Sequence, residues 1–122
     1  MSFKTIVSAF AAAFVLGWAT VTALAAPKGE AVTVTGEVID LHCYMDREAK
    51  GPGHKSCAVQ CAKAGNPIAL LNDKNELFLL MGEKKHQTSN DMLIEKMASV
   101  VTVTGTQVKK GGLQVIYVSS VK

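Results

Sequence analysis

The chain has 122 residues, 13 Lys and Arg against 10 Asp and Glu, and a formal net charge of +3. That length suits one domain. The weak charge, with Lys84-Lys85 and Lys109-Lys110 as isolated basic pairs, lacks the dense cationic stripe of a nucleic-acid binder.

The first element reads as an export signal. Lys4 is followed by an uncharged run from Thr5 to Ala26, closed by Ala23-Leu24-Ala25 and then Ala26-Pro27. A positive start, an apolar stretch and a small-x-small site are the grammar of a secretory signal peptide. An apolar run of about 20 residues can also anchor a chain in a bilayer, but the Ala-x-Ala site and the polar sequence after it favour cleavage. The expected organisation is a signal peptide over 1–25 and a single domain over 26–122. The product would be periplasmic or secreted, with no membrane contact once the signal is removed. Losing Lys4 lowers the charge from +3 to +2 and Trp18 goes with it, leaving Tyr44, Phe78 and Tyr117 as the mature aromatics. A domain so small and so poor in large side chains gains from a covalent or metal cross-link.

"VTVTGEVIDL", 32–41, alternates apolar and β-branched polar residues and predicts a strand. Val32, Val34 and Val38 share one face, while Ile39 and Leu41 take the other, so a bend near Gly36 is expected. Residues 42–55 read as a loop broken at Gly51-Pro52-Gly53. "SCAVQCAKA", 56–64, reads as a short helix started by Ser56 and ended by Gly65-Asn66-Pro67. "PIALLND" and "NELFLLMG" form a hairpin around residues 72–75. Residues 89–98 predict a second helix with Met92, Leu93 and Met97 inward. Strands over 100–108 and 112–121 follow, joined by a turn at Gly111-Gly112. "VTVTG" occurs at 32–36 and again at 101–105, which suggests two bent strands in like environments.

Five strands with a helix between the third and fourth is the chain order of an OB-like barrel. The expected fold is therefore mostly β, a five-stranded OB-like barrel with a short Cys-bearing helix inserted between strands 1 and 2. The segments "VTVTGEVIDLHCYMD", "CAVQCAKAGNPIALL", "ELFLLMG" and "VVTVTGTQV" together resemble a group of small exported bacterial proteins of unknown function. In these, an OB-like barrel carries a Cys…Cys-x3-Cys insertion. The resemblance spans nearly the whole mature chain. It implies fold and export and no particular activity.

The chemistry-bearing residues gather in the insertion. His54, Cys57 and Cys61 stand at i, i+3 and i+7, and share one face if the helix reaches back to 54. Cys43 lies upstream between His42 and Met45. Three thiolates and an imidazole make a tetrahedral zinc set, and thiolates with the thioether of Met45 suit copper(I). The candidate metal ligands are thus Cys43, Cys57, Cys61, His54, His42 and Met45. Two other readings stand beside this one. Cys43 can pair with Cys57 or Cys61 as a disulfide staple, stabilising by roughly 3 kcal/mol and leaving one thiol over, in an interaction module of an exported complex. Alternatively, the spare thiol performs redox chemistry. The sequence carries no C-x-x-C, C-x-x-C-H, H-E-x-x-H or G-x-S-x-G motif and no P-loop, so a binding domain is favoured over an enzyme. His86 reads as a solvated loop residue. Single-strand nucleic-acid binding needs stacking aromatics in a cationic groove, and only Phe78 lies in a suitable hairpin.

Overall fold

The computed structural model describes residues 29–122, and the signal expected over 1–25 lies outside them. Strands β1 (Glu30–Asp40), β2 (Ile68–Leu71), β3 (Leu77–Gly82), β4 (Val100–Lys110) and β5 (Leu113–Val121) close into a barrel in the order β1-β2-β3-β5-β4. All neighbours are antiparallel except β3 and β5, which run parallel and seal the barrel. This is the OB-like architecture expected from the order of elements.

One glycine makes the closure possible. β1 pairs with β4 from Glu30 to Glu37 and with β2 from Glu37 to Asp40, so the strand turns from one neighbour to the other just after Gly36. A Cβ at Gly36 would lie 2.5 Å from the Leu71 carbonyl oxygen. Only a residue without one lets β2 approach so closely.

The two "VTVTG" segments prove to be partners. They pair antiparallel about Val34 and Val103, with Val32 opposite Gly105 and Gly36 opposite Val101. Their threonines meet on the outer face, Thr35 to Thr102 at 2.8 Å and Thr33 to Thr104 at 3.3 Å, while the valines face inward.

The barrel interior holds Val38, Leu70, Leu80, Val103, Ile116 and Val118. Leu93 and Met97 join this core, both fully buried. The helix expected over 89–98 is shorter than its sequence suggests. It consists of α3 (Asn90–Leu93), then a 3-10 turn at Ile94–Lys96 and Ala98 at φ 58. Burying both Leu93 and Met97 while delivering the chain to β4 leaves room for little more than one turn.

The insertion between β1 and β2 holds two helices, α1 (Leu41–Arg47) and α2 (Lys55–Lys63), with a 3-10 turn at Pro52–His54 running directly into α2. The first part of this stretch was expected to be loop. α1 forms because Asp40 caps it, its Oδ2 accepting the Cys43 amide at 3.0 Å. Leu41 and Tyr44 then pack over Ile39, Ala69 and Leu71 on the outer face of the sheet. This also explains the change of face near the end of β1, where Val38 points into the barrel and Ile39 lies under α1. α2 turns its two small residues, Ala58 and Ala62, into the core. Asn90 ties down its far end by donating to the Ala62 carbonyl at 2.9 Å. Glu37 accepts the Gly51 amide and pins the intervening loop to β1. Among the described residues, no helix is long and apolar enough to cross a membrane.

Candidate metal centre

Three backbone elements aim side chains at one spot. Asp40 ends β1, Cys43 sits one turn into α1, and His54, Cys57 and Cys61 lie along the 3-10 turn and α2. Cys57 and Cys61 follow the i, i+4 spacing of Ala58 and Ala62, one position back. While the alanines face the core, the cysteines face α1 and the end of β1.

The donor atoms fall into two sets, each with all members within 4.8 Å of one another. One is Cys43, His54 and Cys57, and the other is Asp40, Cys43 and Cys61. Cys43 belongs to both. All three cysteines are free thiols; Cys43 is buried, while Cys57 and Cys61 are half-buried. The cluster can therefore hold a metal ion.

Four of the six candidate ligands thus converge: Cys43, Cys57, Cys61 and His54. His42 is outside both sets and exposed on the far side of α1. Met45 is 69% exposed and lines a shallow surface hollow with Leu41, His42 and Pro67. On a helix, residues 42 and 45 take a face distinct from that of residue 43, which is why proximity in sequence does not bring them in. Asp40 is the member that sequence reasoning missed. It reads as the end of a strand, but an Asp preceding a helical turn is an N-cap signal. That signal places its carboxylate beside the third residue of the helix, here Cys43.

The electrostatics of the group are tightly linked. Burial pushes the Asp40 carboxyl upward. Polar contacts with the thiol and amide of Cys43, the thiol of Cys61 and the amide of His42 outweigh it and hold the carboxyl below its ordinary 3.8. Contact with Asp40, then burial, pushes the Cys43 thiol up to about 12. Burial and the negative charge of Asp40 also raise the Cys61 thiol. Without a cation, the stable state is an ionised carboxylate beside protonated thiols, and a metal ion entering here must release thiol protons. The Arg47 guanidinium approaches the Cys43 sulfur from the solvent side at 3.6 Å.

Two polar atoms in this cluster have no partner. Among the described residues, Asp40 Oδ1 and His54 Nε2 are the only buried side-chain nitrogen or oxygen atoms without a hydrogen bond. Asp40 as a whole is 1% exposed. Leaving such groups unsatisfied costs roughly 1–3 kcal/mol each. An imidazole nitrogen and a carboxylate oxygen are both donors to zinc-class cations.

Comparison with protein-family models, with curated proteins and with solved structures finds no match to this chain.

Proposed function

We propose that the protein is an exported, non-catalytic binding domain that holds a transition-metal ion in the insertion between β1 and β2. The observation that carries this reading is the coincidence of two facts. The only two orphaned buried side-chain polar atoms among the described residues, Asp40 Oδ1 and His54 Nε2, belong to residues of the two donor sets built around Cys43. A cation bound by those sets is a partner that both residues are chemically suited to take.

The donor chemistry favours zinc over copper. Sulfur, imidazole nitrogen and carboxylate oxygen are the ligands zinc takes, whereas copper(I) selects sulfur, and the thioether of Met45 is turned to solvent. Cys43, Cys57 and His54 supply three of the four ligands of a closed structural site, and Cys61 stands with Asp40 on the other side of Cys43. Such a site clasps α1 to α2, which the barrel core holds chiefly through small residues.

The test is to strip the purified protein with a chelator under reducing conditions and titrate it with Zn2+ against a chromophoric competitor. Structural zinc sites bind with about 10–16 kcal/mol, so the domain should outcompete an indicator of micromolar affinity. Cys43→Ser should abolish this. Failure of the wild-type chain to take zinc from the indicator would end the reading. The same geometry supports one alternative. The Cys43 sulfur is within 4.8 Å of both helix thiols, so a disulfide staple at Cys43, in an interaction module of an exported complex, is the other chemistry open to it. The staple requires that Cys43→Ser lower stability and leave metal content unchanged.

A further inference from the structure

The geometry points to a site for two cations rather than one, with the Cys43 thiolate bridging them and the Asp40 carboxylate as a ligand to the second. This rests on the zinc-binding reading above and goes beyond it in stoichiometry and in the role of Asp40.

Three observations lead there. The donors divide into two sets that share only the Cys43 sulfur. Among the described residues, no set at that spacing contains both Asp40 and His54. Ligands of one tetrahedral ion lie about 3.3–3.8 Å apart, given metal–ligand bonds of roughly 2.0–2.3 Å, so one ion does not reach both orphaned atoms as the side chains stand. Two ions do, one on each side of Cys43.

The second observation is that each set contains its own orphan. His54, whose Nε2 lacks a partner, belongs to the set with Cys57, and Asp40, whose Oδ1 lacks one, belongs to the set with Cys61. Asp40 is 1% exposed. Its other oxygen is already engaged as the cap of α1, so Oδ1 is free to bind without disturbing the helix.

The third is charge. Three thiolates and one carboxylate carry four negative charges. One divalent ion held by Cys43, Cys57 and His54 leaves Cys61 protonated and the buried Asp40 carboxylate without a cation, which is costly. Two divalent ions cancel all four. Arg47 offers limited help, being 61% exposed and screened by solvent. A thiolate sulfur has lone pairs enough to bridge two zinc-class ions, and Cys43 is the one cysteine common to both sets. The odd number of cysteines, awkward for a disulfide framework, suits a bridge with one thiolate on either side.

The test uses the full chain, stripped of metal, kept reduced, and loaded with Zn2+ in the presence of a competitor that removes surface-bound zinc. Native mass spectrometry counts the ions. The expected count is two for the wild type, one for Asp40→Asn and none for Cys43→Ser. Asn keeps an oxygen that can cap α1 but loses the charge. Cys61→Ser removes a donor from the same side without touching the cap, and should also retain one ion. Circular dichroism checks that each variant remains folded. A wild-type count of one overturns the two-ion site and leaves the metal-binding reading intact, whereas a count of none removes both. Two ions in both Asp40→Asn and Cys61→Ser would overturn the assignment of those residues.

Discussion

Gly36→Ala tests whether the bend in β1 sets up both the barrel and the site. The added Cβ would lie 2.5 Å from the Leu71 oxygen, 2.8 Å from the Leu71 carbonyl carbon and 3.0 Å from Leu70 Cγ. The first two are backbone atoms and cannot rotate away, and Leu70 is fully buried. Ordinary carbon–oxygen contacts are about 3.3–3.6 Å, so β1 and β2 must separate by roughly 0.8–1 Å there. Overpacking of this kind costs about 1–3 kcal/mol, and weakening a ladder hydrogen bond adds about 0.5–1.5 kcal/mol. Reduced chain entropy in the unfolded state gives back about 0.4–1 kcal/mol. The net loss is about 2–3 kcal/mol, or a Tm fall of roughly 8–24 °C for a domain of this size. Guanidinium unfolding followed by circular dichroism, with chelator present, measures it. The control is Gly53→Ala, where a Cβ meets nothing within 4 Å and φ is ordinary; it should be neutral to within about 0.5 kcal/mol. If the two substitutions are equally mild, the close approach of β2 at Gly36 is not what holds the barrel.

Other predictions concern the site and its supports. Metal-free stability should fall at both ends of the pH range. The folded state keeps a Cys43 proton that the unfolded chain loses above its ordinary 9.0, so the contribution present below pH 9 is lost as pH climbs toward 12. Asp40, held below 3.8, contributes above that pH and loses its contribution as pH falls through its lower folded value. Urea midpoints for wild type and Cys43→Ala should draw together above pH 9, as the wild type loses this contribution and the variant has none to lose, and parallel curves would contradict the assignment. In folded, metal-free protein at pH 8, iodoacetamide should label Cys43 last, because the thiol is buried and protonated; peptide mapping that finds Cys43 labelled first would refute this. Asn90→Ala removes the bond that holds the end of α2 and should cost about 1 kcal/mol, read as a shift of the unfolding midpoint. His54→Ala should weaken zinc binding by a factor of ten or more without lowering metal-free stability, since the ring nitrogen it deletes is buried without a partner there.

The barrel was legible because its signals are local and strong. Alternating valines and threonines, glycine-marked turns and the placing of a helix after the third strand determine the order of elements. The bend at Gly36 was readable from the change of apolar face between Val38 and Ile39. α1 was not, for reasons that are physical. It is seven residues long, too short to show a helical period, and its polar outer face resembles a loop. It also ends without the usual glycine, because Glu48 itself takes the left-handed conformation at φ 52, which costs a non-glycine residue roughly 1–2 kcal/mol. Missing α1 hid the role of Asp40 as its cap, and so hid a member of the site. It also made His42 and Met45 look as near to the cluster as Cys43, whereas a helix separates residues 42, 43 and 45 by face. The threonine-valine repeat was noticed as likeness of environment, but sequence alone did not show that the two copies pair with each other.

The most direct measurement is intact-mass analysis of the protein isolated from the compartment in which it works, native and then denatured, without added metal or reductant. The account predicts a native mass above the denatured one by whole zinc ions, and a denatured mass showing all three thiols reduced. A native mass with no metal, together with a denatured mass showing one intramolecular disulfide at Cys43, would contradict it.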